Sequence, residues 1–386
     1  MDYGLLWFLL PLAAWSGWFA ARRGFASQTG NHARRLSPDY LRGLDYLLNE
    51  QPDKAIDVFI RLIDVDSDTV ETHLALGALY RRRGEVNRAI RIHQNLIKIS
   101  RLNSQQKALA TLELGLDYQR AGLLDRAENL FQELVQVPSY RGLAYRQLLD
   151  IYQQEQDWEK AIRTAWDLSK QSGDNLKPII AHYYCEQAEA FQLKGNIEQT
   201  RRFLETALNI DPNCVRASLT TGYLMLSQNE DFLEIIDVFQ RVEKQNPLFI
   251  PEIIQPLETC YQHLDQLNEF TAYLQHILKD YGGIAPLLAL TQRIREQKDE
   301  QQAALFIIQQ LQNTPSLKGL AHFIDLTLNQ TKETEQYPLS LVKEIIVKLL
   351  KTYPFYRCKE CGFSGKTLHW QCPSCKQWNT ILPLQN

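Results

Sequence analysis

The chain has 386 residues, of which 45% are apolar and 23% are charged, and its formal net charge is −3. This length and balance exclude a mostly disordered chain and indicate a folded protein of more than one domain. The small net charge gives no general attraction to nucleic acid.

The first predicted element is an apolar N-terminal segment. The stretch from Tyr3 to Ala21 contains no charged residue and includes three tryptophans, which are typical of membrane interfaces. At about 1.5 Å per residue it would extend roughly 28 Å, close to the thickness of a bilayer core. We therefore predict a transmembrane anchor over residues 1–23.

A secretory signal peptide is the competing interpretation, but it requires positive charge before the apolar run. Here Asp2 precedes the run, whereas four arginines follow it, namely Arg22, Arg23, Arg34 and Arg35. By the positive-inside rule, a single-pass chain with this asymmetry has its N-terminus outside and its remainder in the cytoplasm. The basic linker at 24–35 is also suited to contact anionic lipid headgroups.

A spaced set of small and aromatic residues recurs over residues 36–330. Gly77, Tyr80 and Ala89 repeat the spacing of an earlier set that lies 34 residues before them, and related sets follow. The complete series is Gly43, Tyr46, Ala55; Gly77, Tyr80, Ala89; Gly115, Tyr118, Ala127; Leu149, Tyr152, Ala161; Ala188, Phe191, Ala207; and Gly222, Met225. Small residues at these positions indicate two helices that cross closely.

This pattern resembles the tetratricopeptide repeat, a hairpin of two helices that stacks on its neighbours into a superhelix. We therefore predict an all-α array over 36–330, with insertions in loops near 101–104 and 173–178. Beyond Pro247 the pattern weakens, and we predict degenerate repeats there. The recurring tyrosines are interpreted as packing residues between helices and not as ligand contacts.

Residues 331–354 form an amphipathic run in which Leu341, Ile345 and Leu349 recur at helical spacing. Repeat arrays need a terminal element that covers the last apolar face. We predict a helix that caps the array here and bridges it to the C-terminal module.

The C-terminal module, residues 355–386, contains two C-x-x-C pairs. Cys358 with Cys361 and Cys372 with Cys375 have the spacing of two turns whose sulfurs complete a metal tetrahedron. Four thiolates leave no coordination position open, which predicts one structural metal ion. The pairs resemble those of rubredoxin-like ribbons, and such sites accept iron or zinc.

So small a module buries few apolar groups, and its metal should supply much of the folding free energy. We expect four aromatic residues to form a core around the metal, namely Tyr356, Phe363, Trp370 and Trp378. We predict no catalytic residue and no organic cofactor. Gly365-Lys366-Thr367 echoes a phosphate-binding loop, but Glu360 replaces the required glycine.

Three stretches together resemble the lipopolysaccharide assembly protein B family. They are Trp18 to Arg23, Gly84 to Gln94, and Tyr356 to Trp378. The resemblance implies an inner-membrane, single-pass repeat protein of Gram-negative bacteria, with most of the chain in the cytoplasm. It also implies a non-enzymatic adaptor that helps the membrane protease FtsH degrade the LpxC deacetylase, under an inner-membrane regulator that senses lipopolysaccharide.

Two alternatives stay open at this point. One is a scaffold for envelope biosynthetic enzymes that has no effect on proteolysis. The other is RNA binding by the ribbon, in which Trp370 or Trp378 would stack on bases beside Arg357 and Lys359. The modest local charge favours a protein without a nucleic-acid partner. Self-association as a homo-oligomer also stays open.

Overall fold

The computed structural model describes residues 70–99, 102–328 and 333–384, together with short pieces of the first repeat at 41–43, 45–46, 51, 54–55 and 58. The chain divides into two compact units, the first ending at Ile151 and the second beginning at Tyr152. Within the described ranges, strands occur only in the C-terminal ribbon.

The helices follow one another as hairpins joined by short turns. In the first unit they are α1 (Val70–Arg82), α2 (Val86–Ile97), α3 (Ser104–Arg120) and α4 (Leu124–Val135), and α5 (Arg141–Glu155) continues past Ile151. The second unit contains α6 (Trp158–Ser172), α7 (Lys177–Leu193), α8 (Ile197–Ile210), α9 (Val215–Ser227), α10 (Phe232–Gln245), a 3-10 turn (Pro247–Phe249), α11 (Ile250–His263), α12 (Leu267–Asp280), α13 (Ile284–Gln297), α14 (Glu300–Asn313), α15 (Leu317–Leu328) and α16 (Glu333–Thr352). The predicted all-α repeat fold is confirmed.

Glycines on the first helix of a hairpin allow the second helix to approach closely. A Cβ atom on Gly115 would lie 2.5 Å from the ring of Phe131, and one on Gly222 would lie 2.6 Å from the ring of Phe239. Both rings are completely buried. Because no side chain intervenes, each ring packs directly on the backbone of the facing helix. The small residues therefore act as the sequence pattern predicted.

The repeat tyrosines are packing residues, and each has a cation over its ring. Tyr80, Tyr118 and Tyr152 are at most 8% exposed. A basic side chain lies 5.1–5.9 Å from each ring centroid, namely Arg88 over Tyr80, Arg126 over Tyr118 and Lys160 over Tyr152. In each case the cation follows the tyrosine by eight residues. A cation–π contact between the two helices is therefore a repeating part of the hairpin.

The hairpins stay regular beyond Pro247, where the sequence pattern weakens. In α11 the side chains of Ile253 and Leu257 are completely buried, and in α12 so are those of Phe270 and Leu274. Large apolar residues at helical spacing here replace the small and aromatic positions of the earlier repeats. The sequence is degenerate in this region, but the helical architecture is not.

The last helix, α16, packs against α15 through Ile346, which is 5% exposed and lies in one cluster with Ile324. On its other side Leu341, Ile345 and Leu349 are each about half exposed. Within the described residues, no helix is long and apolar enough to cross a bilayer. The predicted anchor over 1–23 and the basic linker over 24–35 lie outside the described residues.

Candidate metal centre and its docking surface

A three-stranded antiparallel sheet positions the four cysteines. Strand β1 (Tyr356–Cys358) lies between β2 (Ser364–Gly365) and β3 (Ile381–Pro383). In this register Cys358 is paired with Ile381, at the end of the central strand. The chain then turns sharply, so that the next cysteine of the first pair returns towards the same point.

The two C-x-x-C turns have the same backbone hydrogen bonds. In the first, the Gly362 amide donates to the Cys358 carbonyl at 3.1 Å and the Cys358 amide donates to the Phe363 carbonyl at 2.7 Å. In the second, the matching donors are the amides of Lys376 and Cys372, which both bond at 2.9 Å. Gly362 has a φ of +76°, a left-handed conformation that glycine adopts without strain. The residue at the equivalent position of the second turn is Lys376, with a φ of +59°.

The four sulfur atoms converge on one point. The Sγ atoms of Cys358 and Cys375 are 3.8 Å apart, those of Cys361 and Cys372 are 3.6 Å apart, and all four lie within 4.8 Å of one another. A regular tetrahedron with metal–sulfur bonds of about 2.3 Å has sulfur–sulfur distances of about 3.8 Å. The arrangement therefore has the dimensions that a thiolate-bound ion requires.

The surroundings of Cys358 and Cys375 shift the pKa values of these two thiols in opposite directions. Burial raises the pKa of Cys358, but a hydrogen bond from the Cys361 amide and one shared with the Thr380 hydroxyl, among others, lower it to about 6. For Cys375, a hydrogen bond from the Gln377 amide favours the thiolate, but burial and the three neighbouring cysteines raise the pKa to about 12. Four adjacent thiolates repel one another unless a cation neutralises them.

A metal ion held by all four cysteines would have no open coordination position. Its chemical contribution would be to cross-link β1 to the second turn and so to hold the ribbon folded. The backbone amides that surround the sulfurs would stabilise the thiolate form. Such a centre offers no position at which a substrate could be polarised.

One face of the ribbon docks on the repeats of the second unit through Trp378. The ring of Trp378 stacks on His182 of α7 with a centroid distance of 5.2 Å. It also meets Tyr183 and Trp158 edge-on, at 5.7 and 6.3 Å. Its indole nitrogen donates a 2.7 Å hydrogen bond to Oε1 of Gln153. The polar atom of the tryptophan is therefore satisfied while its ring packs on the array.

Further contacts extend this docking face along the array. Trp370 stacks on Phe249, in the 3-10 turn before α11, with a centroid distance of 5.5 Å. The Tyr356 hydroxyl donates a 2.7 Å hydrogen bond to the Glu252 carboxylate of α11. The ribbon therefore spans several hairpins, contacting α5 to α7 at one end and α11 at the other.

His182 lies beneath the docked ribbon as a neutral ring. Burial and the nearby Arg216 lower the pKa of His182 to about 3. Among the described residues, its Nδ1 atom has no hydrogen-bond partner. Arg216 is 3% exposed and forms ion pairs with Glu186 at 2.8 Å and with Glu189 at 2.7 Å. Burial, with a smaller contribution from the Arg216 charge, thus favours the uncharged form of the stacking ring.

One expectation about the ribbon was wrong. Tyr356 and Phe363 do pack against the cysteine cluster, but Trp370 and Trp378 lie at the contact with the repeats. The bridging role predicted for 331–354 stays a prediction, and the end of α16 does contact the ribbon, where Lys366 donates a 2.6 Å hydrogen bond to the Lys351 carbonyl. The main aromatic contacts of the ribbon are with α6, α7 and the turn before α11, while the apolar stripe of α16 around Ile345 remains exposed.

Sequence reasoning missed the residues of the array that receive the ribbon, above all Gln153, Trp158 and His182. Their partners lie up to 225 positions away along the chain, so no local period could reveal them. An aromatic at the first position of α6, outside the repeat series, was the one visible signal.

Gly365-Lys366-Thr367 leads from the end of β2 into turns and bends and not into a helix, which is unlike a phosphate-binding loop.

Known protein families match both the repeat array and the C-terminal ribbon of this chain. A rubredoxin metal binding domain model matches residues 356–383, and a tetratricopeptide repeat model matches residues 72–107. Lipopolysaccharide assembly protein B of Escherichia coli (strain K12) is 37% identical over 382 residues, which cover 99% of this chain and 98% of that protein. The protein of that name from Haemophilus influenzae is 34% identical over 391 residues, with the same coverage of both chains.

Two solved structures illustrate a loose likeness to the chain. A structure of Naa15/Naa10 bound to HypK covers 83% of this chain and 51% of its own, at 13% identity and a TM-score of 0.38. The MamA crystal structure covers 48% of this chain and 95% of its own, at 17% identity and a TM-score of 0.32. Scores this low support no argument about function.

Proposed function

The chain belongs to the lipopolysaccharide assembly protein B family, and from this premise we propose that it is a non-enzymatic adaptor in lipopolysaccharide assembly. In the proposed mechanism it is held at the inner membrane and presents the LpxC deacetylase to the membrane protease FtsH. An inner-membrane protein that senses lipopolysaccharide would regulate this step. The chain would bind its partners and would carry out no chemistry itself.

The observation that carries the proposal is the docking of the ribbon on the repeats. A closed four-thiol centre has no position for a substrate, and its ribbon contributes aromatic side chains to a protein–protein contact. Trp378 and Trp370 bind the chain's own hairpins, which leaves them poorly placed to stack on bases. This argues against the RNA-binding alternative and favours a rigid surface for protein partners.

Membrane anchoring gives such an adaptor its efficiency. A tether at residues 1–23 would confine the array to the surface on which a membrane protease acts. Two weak contacts, one to the protease and one to its client, are then strengthened by the raised effective concentration. A soluble form starting at Arg34 should therefore fold but act poorly at normal expression, and full activity of that form would remove the anchor from the mechanism.

The proposed orientation can be tested directly. Protease added to spheroplasts should leave the repeat array intact, because in the proposed topology the arginines after the apolar run keep the array on the cytoplasmic side. Digestion of the array from the periplasmic side would contradict this topology. Lysed spheroplasts serve as the control that the array is cleavable.

We further propose that the ribbon holds one structural iron or zinc ion at Cys358, Cys361, Cys372 and Cys375. The thiolate set accepts either metal. Elemental analysis of full-length protein purified from cells without added metal should give one ion per chain and identify it. Less than a tenth of an equivalent of any metal in folded protein would contradict the proposal.

The adaptor and scaffold functions differ in their effect on protein turnover. If the chain is an adaptor, depleting it should lengthen the half-life of LpxC in a chase experiment, and FtsH should be needed for the difference. A scaffold without proteolytic coupling would leave the half-life unchanged. An unrelated FtsH substrate is the control, since its turnover should not respond to depletion.

A further inference from the structure

A cavity lies away from the four cysteines and from the tryptophan docking face. It has a volume of about 240 Å3 and is formed where the start of α15, the end of α16 and the edge of the ribbon meet. Leu317 and Lys318 line one side, while Leu350, Tyr353, Phe355 and Leu384 are among the residues that line the rest. Most of these side chains are apolar, but polar atoms make up nearly half of the exposed lining, and Lys318 supplies one cation.

Among the described residues, Lys318 is the only charged one that lines this cavity, and no carboxylate neutralises it. Its Nζ atom lies over the ring of Phe355, 4.7 Å from the centroid. Partial burial lowers the pKa of Lys318. An ammonium group that has lost part of its hydration, with only an aromatic face as partner, would gain from a bound anion.

The helix ends around the cavity give its two sides opposite partial charges. The N-terminus of α15, where the Ser316 carbonyl accepts the Leu320 amide at 2.9 Å, adds partial positive charge beside Lys318. The C-terminus of α16 carries the opposite partial charge, and Lys366 donates a 2.6 Å hydrogen bond to the Lys351 carbonyl there. An anionic group is therefore favoured at the α15 side, and an apolar group at the side of Leu350 and Tyr353.

The volume of the cavity indicates the size of a ligand that would fill it. Since a water molecule occupies about 30 Å3 of the liquid, the cavity has room for roughly eight groups of that size. A short alkyl chain with one terminal carboxylate matches this volume and the arrangement of charge. A phosphate alone would leave the apolar walls uncovered, and a neutral alkane would leave Lys318 unpaired.

We propose that this cavity binds a fatty carboxylate. The carboxylate pairs with Lys318 at the start of α15, and the alkyl chain packs against Leu350, Tyr353, Phe355 and Leu384. Because the ligand would touch two helices and the ribbon at once, it would stabilise their junction. Nothing in this proposal depends on the metal or on the adaptor function.

Photoaffinity labelling can test the site in the complete protein. Full-length chain in nanodiscs of neutral lipid is labelled with an octanoic acid that carries a terminal diazirine, and the modified residues are located by mass spectrometry. We expect labels at residues 350–355 or at Leu384, and protection by excess hexanoate but not by hexanol. Labels spread over unrelated surfaces, or equal protection by hexanol, would overturn the proposal.

Variants of Lys318 distinguish the effect of its charge on labelling from the effect of its size. Lys318→Gln should lower labelling roughly tenfold or more, as expected for the loss of one charge-assisted contact. Lys318→Arg should retain most of it. The matched control is Lys348→Gln on α16, whose side chain is 70% exposed, and it should label like the unaltered chain. Circular dichroism melting must show that all three variants fold.

Two results would contradict the assignment. If Lys318→Gln labels as efficiently as the unaltered chain, the ammonium group does not hold the ligand. If an acetylated peptide that ends in a leucine carboxylate protects better than hexanoate at the same concentration, the ligand class is a peptide terminus and not a fatty carboxylate.

Discussion

Replacing Trp378 by alanine should detach the ribbon from the array without removing its metal. The change removes three ring contacts, with Trp158, His182 and Tyr183, and one hydrogen bond to Gln153. Taking about 0.7 kcal/mol for each ring contact and about 1 kcal/mol for the hydrogen bond gives a loss of about 3 kcal/mol. This corresponds to a factor of roughly 150 in the docking equilibrium.

Hydrogen–deuterium exchange on metal-loaded protein measures this effect. Amides of the ribbon at 356–383 that face the array should exchange faster in Trp378→Ala, while the metal content stays at one ion per chain. The control is Tyr337→Ala on α16, because Tyr337 is 75% exposed and lies outside the docking face. Unchanged exchange in the ribbon, with the metal still bound, would refute the claim that Trp378 holds the ribbon on the repeats.

Three further predictions concern the metal, the buried histidine and the helix crossings. Cys358→Ser should lower the metal affinity sharply and unfold the ribbon, while the far-ultraviolet circular dichroism signal of the array persists. LpxC should accumulate in cells that carry this variant. A full equivalent of bound metal together with normal LpxC turnover would contradict a structural role for the site. The pKa of His182 in the folded chain is lowered to about 3. As the pH falls below about 6.5, the unfolded chain therefore binds a proton at this histidine that the folded chain does not. The free energy of unfolding should decrease by about 2 kcal/mol between pH 7 and pH 5. His182→Phe should remove most of this dependence in denaturant titrations, whereas the control His276→Gln, at a half-exposed position, should keep it. Gly222→Ala should cost about 1–3 kcal/mol in the same titrations, because its methyl group would overlap the Phe239 ring, and an unchanged midpoint would contradict the close crossing.

The repeat fold could be predicted because its signals are local. Each hairpin needs a small residue where its helices cross and an aromatic one turn later, so that Gly115 and Tyr118 could be identified by spacing alone. The cation over each tyrosine could also be predicted, because it follows its tyrosine by the same interval in each repeat, as Arg126 follows Tyr118. Beyond Pro247 the core is built from generic apolar residues, and such positions predict helices without defining a repeat.

The sequence signal for the four-cysteine site was equally local, because two residues between cysteines suffice to direct both sulfurs to one point. The docking of the ribbon has no such local signal. Tyr356 bonds to Glu252 across 104 positions, and Trp378 bonds to Gln153 across 225. Such pairs depend on how many hairpins intervene and on the geometry of each. An aromatic residue near a metal site is compatible with a core position and with a contact surface, and sequence alone does not distinguish these environments.

The most direct test of the adaptor account is a reconstitution from purified components. FtsH and the full-length chain are placed in the same lipid vesicles, and the initial rate of LpxC degradation is measured as the amount of the chain is varied. The account predicts a rate that rises with the chain and saturates, and that stays near the basal value with Cys358→Ser. The same degradation rate with and without the chain, at matched FtsH and LpxC concentrations, would contradict it.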